Sequence, residues 1–232
     1  MLSRDAVPKF EDKPRLDDYA MAMRAAQEIK EGMVANLGFG IPMLISSFLD
    51  RDVDVLVHSE NGVIGFGPVI EDPALADRYC INGGGQPVEK RPGMSFMSHE
   101  ESFCLIRGGW VDVTFLGALQ ISKDGDLANW HVPGKISGAL GGGQDLAFCA
   151  KSVVSITTHQ TKDGKPKIVD RLDLDITAPR CVKKIISDIA VIDLTPEGLI
   201  LREVLAGWTP EEVQLVTEPA LVISGDLAEM AL

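Results

Sequence analysis

Short apolar segments alternate with helical stretches through the first 150 residues of this chain, and the apolar segments run directly into glycine. Val34, Ala35 and Leu37 lead into Gly38 and Gly40. Val53, Val55 and Val57 lead through Ser59-Glu60 into Asn61-Gly62, and Tyr79-Cys80-Ile81-Asn82 leads into Gly83-Gly84-Gly85. Between such segments lie helical patterns. One spans 17–29, where Ala20, Met23, Ala26 and Ile29 recur at three-residue intervals before Gly32. A second opens at Pro42, a residue suited to a first helical position, and a third covers 102–107 and closes at Gly108-Gly109 ahead of the strand carrying Val111, Val113, Phe115 and Leu116. This alternation predicts an α/β fold with an open, mostly parallel sheet flanked by helices.

The last third carries more antiparallel character. A β-branched strand over 153–158, a hairpin turn at Lys162-Asp163-Gly164-Lys165 and a returning Ile168-Val169 come first. A helix over 180–187 and strands over 190–193 and 199–204 follow. Thr209-Pro210-Glu211-Glu212 is a capping box that opens the last helix. Residues 1–15 are polar, contain Pro8 and Pro14 and show no period, so they read as an N-terminal arm of the kind that reaches across to a partner. Residues 16–232 read as a single domain.

Composition removes several function classes. The net charge of −12 argues against nucleic acid and anionic membrane surfaces as partners, because binding to phosphates is dominated by Lys and Arg. No apolar run reaches the roughly 18 residues of a membrane span, and the amino terminus lacks a secretory apolar core, which predicts a soluble cytoplasmic protein. Cys80, Cys104, Cys149 and Cys181 are widely spaced in apolar surroundings and read as buried free thiols. His58, His99, His131 and His159 have no metal-binding spacing, so no metal site is expected. A serine-nucleophile elbow, a P-loop and a dinucleotide fingerprint are all missing from the sequence.

What remains is a carboxylate in an unusual position. Glu60 stands where a strand ends and glycine-rich backbone begins, and open α/β sheets bind ligands beyond such carboxyl ends. In a parallel sheet the other glycine-bearing loops emerge at the same edge. A carboxylate attacks an activated carbonyl when the developing oxyanion meets backbone N–H donors in a dry site. The triple glycine Gly141-Gly142-Gly143, ahead of a helix over 146–150, is suited to that second role. The bland alternatives are a solvated or ion-paired glutamate, and glycines that serve only tight strand-to-helix packing.

Taken together, Asn36-Leu37-Gly38-Phe39-Gly40-Ile41-Pro42, Ser59-Glu60-Asn61-Gly62 with Gly65 and Gly67-Pro68, Ile81-Asn82-Gly83-Gly84, Ser102-Phe103 with Ile106-Arg107-Gly108-Gly109, Leu116-Gly117-Ala118 and Leu127-Ala128-Asn129-Trp130 resemble the B subunit of family I 3-oxoacid CoA-transferases. The resemblance covers roughly residues 15–223. It implies the CoA-transferase (NagB/RpiA/CoA transferase-like) fold. It also implies ping-pong transfer of CoA between an acyl-CoA and a free carboxylic acid through a glutamyl-CoA thioester on Glu60, with the acid a 3-oxoacid. Coenzyme A is then substrate and covalent intermediate, with no permanently bound cofactor. A partner A subunit is implied as well, in an A2B2 heterotetramer whose active site lies between the two.

The same resemblance assigns Gly141 and Gly142 to the oxyanion. Gly38 and Gly40 read from their own position either as backbone open to a phosphate or pantetheine or as tight strand-to-helix packing, Lys135, between Gly134 and Ile136, reads as a CoA phosphate contact, and Asn61, Asn82 and Gly84 complete the candidate substrate or CoA contacts. Where the family has Ala and Met, this chain has Gly143 and Gln144, and Gly85 stands where many relatives have Lys. Arg107 reads as an anion partner or, with more support, as a salt bridge fixing a helix end. Trp130 reads equally as pocket wall or core. Two rival functions use the same residues: a CoA-thioester hydrolase or lyase with Glu60 as base, and a non-catalytic ligand-binding protein.

Overall fold

The computed structural model describes residues 7, 8, 10–134 and 139–232. In chain order the strands are β1 (Val34–Leu37), β2 (Leu56–Ser59), β3 (Val63–Ile64), β4 (Ser95–Phe96), β5 (Val113–Gly117), β6 (Gln120–Ser122), β7 (Leu127–Ala128), β8 (Ser152–Thr157), β9 (Ile168–Val169), β10 (Val182–Ser187), β11 (Ala190–Thr195), β12 (Gly198–Val204) and β13 (Leu221–Glu229). The helices are α1 (Asp18–Ala26), α2 (His99–Arg107), α3 (Gly143–Cys149) and α4 (Pro210–Leu215), with a 3₁₀ helix at Ile41–Ser47. Ten strands form one sheet in the order β13-β12-β11-β10-β8-β5-β1-β2-β3-β4, and β7-β6-β9 form a small second sheet. The centre, β2-β1-β5-β8-β10, is parallel throughout, while β3 and β4 on one flank and β11 and β12 on the other pair antiparallel.

Consecutive residues of the central strands are buried on opposite faces. Phe115 and Leu116, Val153 and Val154, Ile185 and Ile186 divide in this way between two apolar clusters. Successive side chains of a strand point to opposite faces, and a parallel sheet covered on both sides has no wet face to mark with polar residues. On one face, Met21, Ala22 and Ala25 of α1 and Ile45 of the 3₁₀ helix pack with Ala35, Val57 and Phe115. On the other, Ile106 of α2, Leu146 of α3, Val213 of α4 and Ile121 and Ile168 of the small sheet pack with Leu116, Val153 and Ile185.

Several elements differ from the sequence expectation. Helix α1 starts at Asp18 because the Asp17 carboxylate caps it, accepting the Ala20 N–H at 2.8 Å, and it ends at Ala26, short of Ile29. Residues 79–82 form one isolated bridge, Ile81 with Pro87, in place of a strand. The predicted helix over 180–187 is the inner strand β10. Its apolar residues, Val182, Ile185 and Ile186, are sealed between β8 and β11, and tertiary burial of a β-branched run outweighs its helical spacing. Ile168-Val169 does return after the turn at Gly164, yet it pairs in parallel with β6 rather than closing a hairpin on β8.

The described part of the N-terminal arm folds back on its own chain. Phe10 meets the Trp208 ring edge-on at 5.2 Å, Trp208 Nε1 donates to Pro14 O at 2.7 Å and Arg15 pairs with Asp188 at 2.9 Å. The thiols also divide. Cys80 and Cys181 are buried, Cys149 is half-buried, and Cys104 is exposed because it lies on the outward face of α2.

Arg24 ties the first helix to the far half of the sheet. It is 5% exposed, donates to both oxygens of Glu203 at 2.8 and 2.6 Å and to Glu28 at 2.8 Å. Removing Arg24 strands Glu203, while Glu28 keeps Lys184 at 2.6 Å. Arg24→Met is therefore expected to lower unfolding stability by about 2–3 kcal/mol in a urea titration, with Arg24→Lys recovering only part because an ammonium lacks the two-pronged geometry.

Candidate active site

Three adjacent parallel strands end at one cleft. β1 gives way to Gly38 and Phe39, β2 to Glu60, and β5 ends at Gly117 before Ala118 and Leu119, and all of these residues line a cleft of about 640 Å³. Asn129, Trp130 and the segment 139–143 close its other side. Among the described lining residues Glu60 is the only ionisable one. No group of three potential metal ligands occurs among the described residues.

The Ser-Glu-Asn-Gly run is fixed residue by residue. Ser59 Oγ accepts the Gly83 N–H at 2.7 Å, and Asn61 Nδ2 donates to Ile81 O at 2.8 Å, so the loop after residue 79 is stitched to the end of β2. Gly62 has φ +106°, and a Cβ there would fall 2.2 Å from Met97 O. No side chain fits at that turn, which sends the chain away and leaves the Glu60 side chain at the strand's end.

Gly142 meets Glu60 from across the cleft. A Cβ at Gly142 would fall 2.0 Å from Glu60 Oε2, and one at Gly141 would fall 3.8 Å from Oε1. The backbone opening α3 therefore lies against the carboxylate. The Gly143 N–H is bonded to Leu140 O at 3.1 Å, whereas those of Gly141 and Gly142 have no bond to another described residue. Uncommitted backbone donors beside a carboxylate are the components that acyl transfer requires.

Of the other residues singled out from sequence, Gly38 and Gly84 also line the cleft. Gly38 is there for space, since its N–H is committed to Phe115 O at 3.0 Å and a Cβ would fall 2.7 Å from the same oxygen. Asn82 is buried and turned into its own loop, accepting the Gly84 and Gln86 N–H groups at 3.0 Å each. Asn61 and Gly40 do not line the cleft, and Lys135 lies outside the described residues. Arg107 pairs with Asp145 at 2.7 Å, joining the end of α2 to the first turn of α3 as a structural link. Trp130 is a wall residue.

A buried polar chain beneath the cleft has no counterpart in the sequence reading. Thr114 Oγ1 donates to Asn36 Oδ1 at 3.0 Å, Asn36 Nδ2 lies 3.0 Å from His58 Nδ1, and His58 Nε2 lies 3.0 Å from Ser102 Oγ. The His58 carbonyl oxygen, which only accepts, lies 3.4 Å from Asn36 Nδ2 and so identifies the nitrogen end of that amide, whence Nδ1 of His58 accepts and Nε2–H donates to Ser102. All four side chains are at most 1% exposed, and the chain spans β5, β1, β2 and α2. Polar residues inside otherwise apolar strands are the available signal, with no way to pair them from sequence.

Burial lowers the pKa of His58 to about 4, and that of His159, also fully enclosed and held by Ser187 and Thr217, to about 4. Both bind fewer protons folded than unfolded, so their stabilising effect is complete above the unfolded value near 6.5 and is lost as pH falls toward 4. Thermal unfolding from pH 7 down to pH 4 is expected to show a loss of about 3 kcal/mol per histidine, and His58→Gln, which keeps an acceptor and a donor, should remove one share of that slope.

Comparison with known proteins agrees with this geometry. Residues 19–215 match the family described as Coenzyme A transferase. The chain is 45% identical over 208 residues to the B subunit of 3-oxoadipate CoA-transferase from Acinetobacter baylyi, covering 87% of this chain and 93% of that one. It is 44% identical over 210 residues to human succinyl-CoA:3-ketoacid coenzyme A transferase 2, mitochondrial, covering 89% of this chain but only 40% of the longer human protein. The fold is similar to that of an acyl-CoA transferase, YdiF, from Escherichia coli O157:H7, with a TM-score of 0.73 at 23% identity over 94% of this chain and 44% of that one. The sheet is that of an open α/β scaffold, with the cleft at the carboxyl ends of its parallel strands. The chain belongs to the coenzyme A transferase family and is a CoA-transferase subunit of the B type. No helix among the described residues is long and apolar enough to cross a membrane.

Proposed function

We propose that this subunit transfers CoA between an acyl-CoA and a free 3-oxoacid, with Glu60 as the nucleophile. The observation that carries this reading is the Glu60 carboxylate lying against the backbone of Gly142 in a cleft with no other ionisable described residue. A Glu60 oxygen attacks the thioester carbonyl of the acyl-CoA, and the tetrahedral oxyanion is held by the N–H groups of Gly141 and Gly142. Collapse expels CoA thiolate and leaves an acyl-glutamyl anhydride. The thiolate attacks the glutamyl carbonyl, the first acid departs as its carboxylate, and a glutamyl-CoA thioester remains. A second carboxylate attacks that thioester, and the released thiolate takes the new acyl group, which restores the Glu60 carboxylate. Each bond broken is matched by one formed, and no nucleotide is consumed.

The proposed acid class follows the names of the relatives, one acting on 3-oxoadipate and one on 3-ketoacids. A partner follows from the same relatives. The bacterial one is named as a B subunit, and the human one is more than twice the matched length, which supports an A subunit that completes the cleft in an A2B2 heterotetramer. A net charge of −12 and a cleft without a described cation leave the CoA phosphates to that partner.

Incubation of the assembled enzyme with acyl-CoA, borohydride reduction and peptide mass analysis tests the covalent step. A reduced adduct at Glu60 is expected, together with a loss of about 10⁴-fold or more in kcat for Glu60→Ala. Product formation with Glu60 unmodified throughout turnover overturns the mechanism in favour of a general-base role. Full turnover by this chain alone overturns the need for a partner.

A further inference from the structure

The wall of the cleft opposite β1 carries two N–H donors that the protein leaves unused. Thr177, 1% exposed, accepts the Asn129 backbone N–H at 3.1 Å and donates its hydroxyl proton to Asn129 Oδ1 at 2.7 Å. With the hydroxyl proton given to Oδ1, Nδ2 is the free end of the Asn129 amide. Gln144 Nε2 donates to Thr177 O at 3.0 Å and so anchors Thr177 to α3. Nδ2 faces Gly143, where a Cβ would lie 3.8 Å away, and has no hydrogen-bond partner among the described residues. Residue 143 has no side chain to cover it. The neighbouring Trp130 lines the same cleft, and its indole N–H is buried without a partner among the described residues. Buried polar groups in folded proteins are almost always paired, so the indole N–H awaits an acceptor from outside the chain, and the partly exposed Asn129 amide beside it offers a second donor to the same cleft.

We propose that Asn129 Nδ2 and the Trp130 indole N–H receive an oxygen on the acyl chain beyond the reacting carboxylate, which makes these two residues the specificity determinants for oxygen-bearing acids over plain fatty acids. The inference rests on the CoA-transfer reading and names the part of the acid that the site reads. Glu60 faces Gly142 while Asn129 faces Gly143, so the reacting carbonyl and the reader are one residue apart along the same backbone. The donors are neutral. They suit a ketone oxygen and a terminal carboxylate alike, and the two sources are separable by experiment.

The enzyme, assembled with its partner, is assayed for kcat/KM with acetoacetate, succinate and butyrate as acceptors from a common acyl-CoA donor. Asn129→Ala removes the amide donor. Trp130→Phe removes the indole N–H while keeping a ring. Each is expected to lower a preference ratio by about tenfold, the scale of one neutral hydrogen bond. A fall in acetoacetate over butyrate identifies the ketone oxygen, and a fall in succinate over butyrate identifies the terminal carboxylate. Either supports the proposal. Ratios unchanged in both variants, with the Glu60 adduct still trapped, overturn this proposal alone. Absence of that adduct in the unaltered enzyme overturns the transfer reading itself.

Discussion

The parallel alignment of β2, β1, β5 and β8 is the constraint on which everything else rests. Strands running the same way end at the same edge, so the loops after β1, β2 and β5 arrive together although they are distant in sequence. The buried chain from Thr114 through Asn36 and His58 to Ser102 crosses these strands just below that edge. A partly paired polar network inside a core is costly, while a fully paired one admits few alternative registers. Sliding β2 past β1 by one residue breaks the Asn36–His58 contact and turns His58 out of the network. The hydrogen bonds thus specify where Glu60 stands more than they raise stability.

Around that edge the glycines divide into two kinds. At Gly62 the backbone conformation and a neighbouring carbonyl both forbid a side chain, and the result is a turn. At Gly142 the obstacle is the Glu60 carboxylate itself, and the result is an approach of backbone to carboxylate that no other residue permits. Helix ends are closed by side chains in the ordinary way. Ser98 and Glu101 form a capping box on α2, and Thr209 and Glu212 form one on α4.

Much of this is legible in the sequence because local rules and global fold agree there. The strand ending at Glu60, the turn at Asn61-Gly62, the helix opened by Thr209 and the antiparallel run of β10, β11 and β12 all follow from spacing and turn chemistry. Where spacing misleads, tertiary burial has taken over. Val182, Ile185 and Ile186 have helical spacing but lie in a strand covered on both faces, a situation in which apolar residues need no alternation. Ile168-Val169 has the pattern of one hairpin arm, and its true partner, β6, lies more than forty residues earlier in the chain. The cleft's wall is half visible. Asn129 and Trp130 stand in a recognisable motif, but Thr177, which orients the amide, has no local signal at all.

That Glu60 alone among the described residues brings charge to the cleft has a kinetic consequence. A free carboxylic acid approaching the resting enzyme meets a like charge, which at about 6 Å and an effective dielectric near 20 costs about 3 kcal/mol, or roughly a hundredfold in occupancy. On the proposed route the same side chain becomes electrically neutral once it carries CoA, and the repulsion vanishes. On that route this subunit's own charge disfavours the acid before CoA is loaded and no longer opposes it afterwards.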